Sequence, residues 1–263
     1  MEQLIDLSAA VNQLKELVLH VGELQKENLG RVNLAIDVKS TAIDLVTEVD
    51  KQSEQKIIAF IKQYYPEHGI LAEESGQAAS DSDYLWTIDP LDGTTNYAQG
   101  LPVFSISIAL SYRGETVLGV VYAPVLNEFY YAIKGQGAYL NDKPIQVSAK
   151  NQLIDSVLAT GFPYDVASHQ VNNVDSFNKL LLKTRAIRRF GSAAYDLAGV
   201  ACGRFDGYWE LNLSPWDVAA GILLVEEAGG RVIPYRSDRK ISIIAGNNGI
   251  VSRIEHELKS ELM

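Results

Sequence analysis

The chain has 263 residues, of which 47% are hydrophobic and 21% charged, a composition typical of globular proteins that excludes a largely disordered chain. Its 33 acidic residues outnumber its 23 lysines and arginines, so the formal net charge is −10, and neither nucleic acid nor an anionic membrane is an expected partner. No apolar run is long enough to span a membrane, and Glu2 and Asp6 stand where a secretory signal carries basic residues, so we expect a cytoplasmic protein.

Two amphipathic helices are predicted at the beginning of the chain. Apolar residues from Leu4 to Leu24 recur at three- and four-residue steps, which is the helical period. A second helix is predicted from Asp50 to Tyr64, and Pro66 ends it. Asp50 therefore lies near the start of a helix, where its side chain could cap the first turn.

A mostly antiparallel sheet is predicted next. Short apolar segments are separated by the turn residues of RGE, LNE and NDKP, which is the pattern of a meander. We expect this sheet to be flanked by the two preceding helices. Its segments are GILAEES, YLWTID, VFSISIALSY, TVLGVVYAPV and EFYYAIKG.

The pattern changes after about Lys150 to alternating strands and helices, which predicts an α/β layered half. The predicted strands are SVLATG, AIRRF, FDGYWEL and ISIIAGN. The predicted helices are VDSFNKLLLK, SAAYDLAGVACG, PWDVAAGILLVEEAGG and a last helix after ISIIAGN. No linker rich in Pro, Ser or Gly separates the halves, so we expect residues 1–148 and 149–263 to form one compact unit with the site between them.

The stretch TIDPLDGTTN places two acids beside a glycine and two threonines. Asp89 is predicted to end a strand, because Pro90 has no N–H for the ladder, and Asp92 lies beyond the turn. Carboxylates without nearby cysteine or paired histidine are ligands of hard cations such as Mg²⁺ or Mn²⁺. Gly93 permits close backbone approach, and the residues after it can begin a helix whose free N–H groups face a phosphate. An isolated D-P-x-D also caps turns, so this stretch alone leaves both interpretations open.

Other acids lie where they could join Asp89 and Asp92. Glu73 and Glu74 follow a short apolar strand, and Asp217 occupies the first turn of an apolar helix. Each has a simpler explanation as well, since the two glutamates could lie in a solvated loop and Asp217 could complement the helix dipole.

Three strings together resemble the signature of a known family. AEES, WTIDPLDGTTNY and PWDVAAG occur in this order, with DLVTEVD upstream, and resemble the inositol monophosphatase family of lithium-sensitive, magnesium-dependent phosphatases. The resemblance covers nearly the whole chain. It implies a layered αβαβα sandwich of the α+β or α/β class, with an antiparallel-sheet half that carries most metal ligands and an α/β half that carries Asp217 and the substrate pocket. It also implies a homodimer.

The resemblance implies a centre with two Mg²⁺ ions, for which Mn²⁺ is a substitute, and a third Mg²⁺ near Glu73 is a variation within the family. Glu73, Asp89 and the backbone carbonyl of Leu91 would hold one ion, and Asp89, Asp92 and Asp217 would hold the other. Such sites support in-line attack of water without a phosphoenzyme. Asp50 and the Thr94 hydroxyl would orient and deprotonate that water, so the implied catalytic residues are Asp50, Thr94 and Glu73.

The implied substrate is a small phosphomonoester. The phosphate would meet the backbone N–H groups of Gly93 and Thr94 with Lys39 nearby, and RRFGSAAYD and Glu210 would line the alcohol side. The implied substrate-binding residues are Lys39, Leu91, Asp92, Gly93, Thr94, Gly191, Ser192, Ala193, Glu210 and Asp217.

Inositol 1-phosphate is the leading candidate for that substrate, although relatives also hydrolyse NADP, fructose 1,6-bisphosphate or 3′-phosphoadenosine 5′-phosphate. Two positions depart from the family pattern. Ala72 replaces a glycine that often precedes the paired glutamates, and Asn212 stands where many inositol-specific members have glycine. The second departure bears on the choice of alcohol.

Two other functions compete with this interpretation. Haloacid-dehalogenase-like phosphatases carry D-x-D-G-T, but the additional residue Leu91 breaks the spacing of their nucleophile and their acid. A metal-binding scaffold without activity would not need the water-activating pair, which is present here as Asp50 and Thr94.

Overall fold

The computed structural model of the protein describes residues 5–31, 35–40, 44–78 and 80–259. Leu4, the expected first residue of the first helix, lies outside these ranges. None of the helices within them is both long enough and apolar enough to cross a membrane. They are α1 Leu7–Asn28, α2 Glu48–Tyr64, α3 Thr94–Ala98, α4 Val174–Leu181, α5 Ala193–Ala201, α6 Pro215–Glu227 and α7 Asn248–Lys259.

Helix α1 begins and ends later than apolar periodicity alone predicts. The carboxylate of Asp6 accepts hydrogen bonds from the N–H groups of Ser8 and Ala9 at 3.0 and 3.1 Å, and this capping determines where the helix starts. The helix continues past Leu24 to Asn28.

Helix α2 begins two residues before the predicted start at Asp50. Thr47 is its N-cap, and the Thr47 N–H donates to a carboxylate oxygen of Asp50 at 2.9 Å, which completes a capping box. Asp50 is therefore the third residue of the helix and supports the cap, and it is not the cap itself.

A short hairpin precedes α2 and was not predicted. Its strands are β1 Ile36–Val38 and β2 Leu45–Thr47, which pair antiparallel. All three residues of β1 are exposed, and three residues are too few for alternation of apolar and polar side chains to identify a strand.

The large sheet has eight strands in the order β10-β9-β8-β7-β6-β5-β3-β4. Its neighbours pair antiparallel except for β3 and β5, which are parallel, so the predicted mostly antiparallel meander is confirmed. The strands are β3 Gly69–Ala72, β4 Gly76–Ala78, β5 Tyr84–Asp92, β6 Ser105–Tyr112, β7 Glu115–Ala123, β8 Glu128–Ile133, β9 Gly137–Leu140 and β10 Lys143–Pro144.

The prediction that β5 ends at Asp89 is wrong, because the strand continues to Asp92 through a β-bulge. Asp89 pairs with Ser107 and Asp92 pairs with Ser105, so three steps along β5 face two steps along β6. Pro90 lies in this bulge, where its missing N–H removes no ladder bond. Residues three apart in a regular strand point to opposite faces, and the additional residue brings both aspartates to one face.

The small sheet has five strands in the order β12-β11-β13-β15-β14. Strand β11 pairs parallel with β12 and β13, and β15 pairs antiparallel with β13 and β14. The predicted alternation of strands and helices is present, with β14 as an additional strand. The strands are β11 Val157–Thr160, β12 Ala186–Arg188, β13 Gly207–Leu213, β14 Arg231–Pro234 and β15 Ile241–Gly246.

The helices and sheets stack in five layers. Helices α1 and α2 cover one face of the large sheet, α5 and α6 lie between the two sheets, and α4 and α7 cover the outer face of the small sheet. Trp86 and Ile88 of β5 face the first helix layer, whereas Ala109 of β6 packs in the core around α5 and α6. The predicted αβαβα sandwich is confirmed, and its middle layer meets β5 on the face that carries Asp89 and Asp92.

Candidate active site

A cavity of about 430 Å³ opens where β5 and α3 meet the ends of β13, α5 and α6. The predicted site residues line it with the exception of Asp50, which is buried behind Thr94. Those in the cavity wall are Lys39, Glu73, Asp89, Leu91, Asp92, Gly93, Thr94, Gly191, Ser192, Ala193, Glu210 and Asp217.

Three aspartates from two elements share this cavity. Asp89 and Asp92 come from the bulge of β5, and Asp217 comes from the first turn of α6, where it accepts a hydrogen bond of 2.7 Å from the Ser214 N–H. Burial raises the pKa of Asp89 well above its usual range, and the charges of Glu73, Asp92 and Asp217 raise it further. Burial also raises the pKa of Asp217 well above its usual range and that of Asp92 to about 6.

The N-terminus of α5 holds Asp92. One Asp92 carboxylate oxygen accepts hydrogen bonds from the Ser192 hydroxyl and the Ala194 N–H, both at 2.7 Å. The Ser192 hydroxyl also lies 3.0 Å from the Ser105 hydroxyl of β6. Ser192 was predicted to contact substrate, and in this structure its hydroxyl binds the carboxylate that β5 presents.

Glu73 lies at the other side of the cavity, immediately after β3. Its N–H donates to the Ile88 carbonyl at 3.1 Å, and its carboxylate accepts a hydrogen bond of 2.7 Å from the Lys39 ammonium. Lys39 also donates to Glu74 at 2.5 Å. Burial alone would lower the pKa of Lys39, but the two glutamates raise it above its ordinary value. Burial raises the pKa of Glu74 to about 7.

The donor set fits a hard divalent cation. In the ranges that the structure describes, no three carboxylate, imidazole or thiolate groups are already close enough to form a metal centre, so convergence on an ion stays a prediction. The side chains that could supply ligands are all carboxylates, and the charge of Asp92 raises the pKa of both Asp89 and Asp217, with no ion pair to these three aspartates from any residue the structure describes. Oxygen donors with excess negative charge are what Mg²⁺ and Mn²⁺ require.

A hydrogen-bonded pair lies beside the aspartates. The Thr94 hydroxyl donates to Asp50 at 2.9 Å and lies 3.2 Å from the carbonyl oxygen of Leu91, a bulge residue that has no partner in the register of β5 and β6. Asp50 is 0% exposed, and its other oxygen accepts from the N–H and hydroxyl of Thr47. Burial raises the pKa of Asp50. Because the Thr94 proton is directed toward buried acceptors, its oxygen can accept a hydrogen bond from the cavity.

Gly93 joins the bulge to α3 with a backbone that other residues rarely adopt. Its φ is +102°, and a Cβ there would lie 3.1 Å from the Gly191 carbonyl oxygen of the facing loop. Helix α3 begins at the next residue, as predicted. At Gly93 the cavity wall therefore consists of backbone atoms without a side chain.

The far wall of the cavity carries Glu210 on β13. Its carboxylate accepts a hydrogen bond of 2.7 Å from the Tyr208 hydroxyl. It occupies the space beside Gly161, where a Cβ would lie 2.2 Å from a Glu210 oxygen. Burial raises the pKa of Glu210 to about 7.

The structure adds residues to the cavity wall that the sequence analysis did not name one by one, although the stretch RRFGSAAYD contains Arg189 and Asp196. They include Asp196 of α5, Arg189 before it, Lys240 and the loop of residues 161–165. A signal for Asp196 was present, since it is an acid within the apolar helix segment SAAYDLAGVACG. No sequence pattern predicts that residues 161–165 lie at the site, because only the tertiary fold brings this loop there.

The chain matches the model of the inositol monophosphatase family over residues 6–262. It is 45% identical over 261 residues to a Synechocystis protein named inositol-1-monophosphatase, covering 98% of this chain and 90% of that protein. It is 43% identical over 237 residues to a Pseudomonas aeruginosa protein named Nus factor SuhB, covering 86% of this chain and 87% of that protein.

Solved structures share the fold. The extragenic suppressor protein suhB of Bartonella henselae superposes with a TM-score of 0.90 at 40% identity, covering 95% of this chain and 98% of that one. An IMPase/NADP phosphatase complexed with NADP and Ca²⁺ superposes with a TM-score of 0.86 at 26% identity, covering 98% of each chain.

Proposed function

The chain belongs to the inositol monophosphatase family and is a phosphomonoesterase, and we propose that it requires Mg²⁺ and acts on inositol 1-phosphate. The observation that carries the proposal is the group formed by Asp89, Asp92 and Asp217, which share one cavity and form no ion pair within the described ranges. A divalent cation would supply the charge that an anionic substrate needs in such an acidic site.

We assign the metal ligands as the resemblance implies. Glu73, Asp89 and the Leu91 carbonyl hold one Mg²⁺, and Asp89, Asp92 and Asp217 hold the second, with Mn²⁺ as a substitute and a third ion near Glu73. When bound, these ions supply Lewis acidity toward water and toward the phosphoryl and leaving oxygens. The bulge supports the assignment, because it places both β5 aspartates on one face and leaves Leu91 without a partner in the register with β6.

Thr94 and Asp50 accept the proton that the attacking water loses. The Thr94 hydroxyl donates to Asp50, so its oxygen faces the cavity as an acceptor for a water O–H. As the water loses that proton, the proton is taken by Thr94 while Thr94 passes its own to Asp50. The buried Asp50, held by Thr47, is fixed in the orientation that this transfer needs. Glu73 completes the catalytic group by orienting the same water.

The phosphate is bound by backbone and by one lysine. Gly93 and Thr94 offer N–H groups at the start of α3, where the bare backbone permits close approach. Lys39 lies 2.7 Å from Glu73 and can turn its ammonium toward a phosphate oxygen when Glu73 binds metal.

The alcohol lies against the second half of the chain. Gly191 and Ala193 line the cavity there, and Glu210 accepts hydrogen bonds from ring hydroxyls. Ser192 also lines the cavity there, and its hydroxyl, which donates to Asp92, contacts the substrate as well. NADP, fructose 1,6-bisphosphate and 3′-phosphoadenosine 5′-phosphate are the alternative substrates, and NADP is bound in one of the structures that resemble this chain.

The proposal is tested by measuring phosphate release from inositol 1-phosphate, fructose 1,6-bisphosphate, NADP and 3′-phosphoadenosine 5′-phosphate, with Mg²⁺ or EDTA and with or without Li⁺. We expect release to need Mg²⁺, to be fastest with inositol 1-phosphate and to be inhibited by Li⁺. Release that persists in EDTA would refute the metal requirement. A preference for another substrate would refute the choice of alcohol.

The assignment of Asp92 has its own test. Asp92→Asn should remove most Mg²⁺-dependent release while leaving the fold largely intact, because the asparagine keeps the shape but loses the charge. Asp83→Asn is the matched control, since Asp83 precedes the same strand and pairs with Arg113 outside the cavity. Full activity in Asp92→Asn would show that Asp92 is not a ligand.

The competing functions make different predictions. A haloacid-dehalogenase-like enzyme would form a covalent aspartyl-phosphate on its first aspartate, whereas in our mechanism water attacks the phosphate and no phosphoenzyme forms. Trapping a phosphoenzyme during turnover would overturn our mechanism. A scaffold without activity would release no phosphate under any condition.

We also propose that two copies form a homodimer, on the strength of the family resemblance. Light scattering of the purified chain should give twice the mass of 28.9 kDa.

A further inference from the structure

Tyr164 lines the active-site cavity from the loop of residues 161–165 and has no role in the mechanism above. The residue is 51% exposed, but its hydroxyl end lies among acids. Burial raises the pKa of the phenol, and the charges of four acids of the cavity raise it further, namely those of Glu73, Asp92, Asp44 and Asp217. Because electrostatic interaction weakens with distance, a hydroxyl that all four acids affect lies over the part of the cavity that they share.

A tight turn presents this side chain to the cavity. The Val166 N–H donates to the Pro163 carbonyl at 3.0 Å, so Tyr164 and Asp165 are the two central residues of a β-turn. The two residues are adjacent in one turn, so a contact that fixes Asp165 also fixes the direction in which the Tyr164 side chain leaves the backbone.

Arg239, in the loop between β14 and β15, supplies that contact. One of its guanidinium nitrogens lies 2.7 and 2.8 Å from the two carboxylate oxygens of Asp165, and another donates to the Val171 carbonyl at 3.0 Å. The Arg239 side chain is only 5% exposed, so its guanidinium depends on these acceptors more than on water. Arg239 therefore joins the turn to the segment that follows it.

The other end of the loop is held separately. The side-chain amide of Asn173 donates to the Gly161 carbonyl at 2.6 Å and accepts a hydrogen bond of 2.7 Å from the Trp209 indole N–H of β13. Asn173 is buried, so this anchor is protected from water. Loss of Arg239 should consequently release the turn at Tyr164 without detaching the loop from the small sheet.

We propose that Arg239 is a positioning residue, which acts through Asp165 to place the Tyr164 hydroxyl where it donates a hydrogen bond to a phosphate oxygen of the bound monoester. A protonated phenol is an uncharged donor, so it adds no charge to the cavity and still binds an anion. Hydrogen bonds to an ionised acceptor such as phosphate are stronger than those between neutral groups. This inference rests on the proposed phosphatase activity and adds two residues to its site.

The test measures the binding of inorganic phosphate by calorimetry in saturating Mg²⁺. We expect Tyr164→Phe to weaken binding about tenfold, since one hydrogen bond to a charged group is lost, and Arg239→Met to reproduce most of that loss. The double variant should bind phosphate no more weakly than Tyr164→Phe, because Arg239 acts through the hydroxyl. KM for inositol 1-phosphate should rise in parallel while kcat changes little. Losses that add in the double variant would overturn the inference.

Arg236→Met is the matched control. Arg236 lies in the same loop between β14 and β15 and pairs with Asp238 at 2.8 Å, and neither residue lines the cavity. This variant should bind phosphate as the wild type does. Arg239→Lys keeps the charge but lacks the planar fork of the guanidinium, so it should restore phosphate binding only in part.

Thermal unfolding of the same variants separates positioning from a purely structural role. If Arg239→Met fails to fold, Asp165→Asn removes the charge of the same ion pair at a side chain that is 36% exposed, and it should also weaken phosphate binding. An Arg239 variant that is less stable but binds phosphate as the wild type does would overturn the inference, as would unchanged binding in Tyr164→Phe. A wild type that binds phosphate but hydrolyses no ester would instead refute the phosphatase function.

Discussion

The side-chain amide of Gln25 donates a hydrogen bond of 2.8 Å to the carbonyl of Pro90, which lies in the bulge of β5. Gln25 is fully buried in α1, and the same amide nitrogen lies 3.2 Å from the hydroxyl of Ser53 in α2. The first helix layer thus supports from behind the backbone that presents Asp89 and Asp92 to the cavity.

Gln25→Leu should therefore damage both the fold and the site. It leaves the buried Pro90 carbonyl without a donor, so we expect the free energy of unfolding to fall by about 2 kcal/mol. The loosened bulge should also raise the Mg²⁺ concentration needed for half-maximal phosphate release. Denaturant unfolding and a Mg²⁺ titration of activity measure the two effects.

Ser53→Ala is the matched control for Gln25→Leu. It removes the other contact of the same amide but keeps the bond to Pro90, so it should lower stability less and leave the Mg²⁺ requirement as in the wild type. If both variants shift the Mg²⁺ requirement equally, the contact with Pro90 has no separate role.

Thr94→Val should abolish most of the activity without unfolding the protein. Valine has nearly the shape of threonine but cannot accept a proton from water or pass one to Asp50, so we expect kcat to fall about 100-fold or more. Thr94→Ser keeps the hydroxyl and should retain activity within about tenfold. Phosphate release at saturating Mg²⁺ checks both, and equal activity of the two variants would exclude a role for the hydroxyl.

Lys39→Met should strengthen metal binding in the absence of substrate. The Lys39 ammonium bonds to Glu73 at 2.7 Å and so competes with a cation for that carboxylate. We expect Mg²⁺ affinity, measured by calorimetry, to rise about fivefold, which is the effect of one partly exposed ion pair. KM for the phosphomonoester should rise at the same time, because a phosphate contact is lost.

Lys51→Gln is the control for Lys39→Met, since Lys51 pairs with Asp37 of the same hairpin at 2.9 Å but outside the cavity. It should change neither Mg²⁺ affinity nor KM. A Lys39→Met protein that binds Mg²⁺ as the wild type does would show that the lysine and the metal do not compete.

The buried acids of the cavity, Asp89, Asp92, Glu210 and Asp217, are called the carboxylate cluster below. They make the metal-free protein less stable as pH rises. Raised carboxyl pKa values mean that the folded state binds more protons than the unfolded state between about pH 4 and the folded values. These folded values are about 6 for Asp92 and about 7 for Glu210. In EDTA the unfolding temperature should therefore fall by roughly 3 °C or more between pH 5.5 and 7.5.

Magnesium should remove most of that pH dependence, because the bound cation compensates the same charges. Unfolding temperatures measured with Mg²⁺ at both pH values test this. Asp92→Asn should flatten the curve in EDTA as well. A metal-free protein whose stability rises with pH would contradict the role assigned to the cluster.

His68 contributes stability that is lost as pH falls, which is the opposite pH dependence to that of the carboxylate cluster. Trp86 donates to its ring at 3.0 Å, and the ring stacks on Tyr84 with centroids 4.7 Å apart. Burial lowers the pKa of His68, so its contribution is present above the unfolded value of about 6.5 and is lost as pH falls. The difference in unfolding temperature between wild type and His68→Gln should shrink from pH 7.5 to 5.

Because the carboxylate cluster titrates in the same range, this comparison is made in saturating Mg²⁺. His20→Gln, on the exposed face of α1, is the control and should leave the difference from wild type constant. A His68→Gln protein that loses equal stability at both pH values would show that His68 acts by packing alone.

Much of the fold follows from periodicity in the sequence. Along β6, Ile108 and Leu110 pack in the core under α1 and α2, whereas Ala109 between them packs around α5 and α6, which is the period of two that an apolar strand segment predicts. The strand end at Asp89 was misjudged because a proline without an N–H looks the same at a strand end and in a bulge. Only the pairing with Ser105 and Ser107 of β6 distinguishes them, and that pairing is not local.

The site residues likewise include some that motifs predict and some that only the tertiary fold brings to the site. Glu73, Asp89, Asp92 and Asp217 could be proposed from motifs, because they fall in the strings AEES, WTIDPLDGTTNY and PWDVAAG. The loop of residues 161–165 could not, because its proximity to the site depends on how the two halves of the chain pack. The hydrogen bond from Ser192, at the N-cap position of α5, to Asp92 likewise depends on the tertiary fold.

The bulge of β5 also constrains how the gene can change. An in-frame deletion of the Leu91 codon would leave two aspartates two residues apart, still on one face of a now regular strand. The regular strand would no longer present the bulge carbonyls that accept hydrogen bonds from Gln25 and Thr94. Such an allele should be null although it keeps both acids, so drift from D-P-L-D to D-x-D should not occur by single-codon loss.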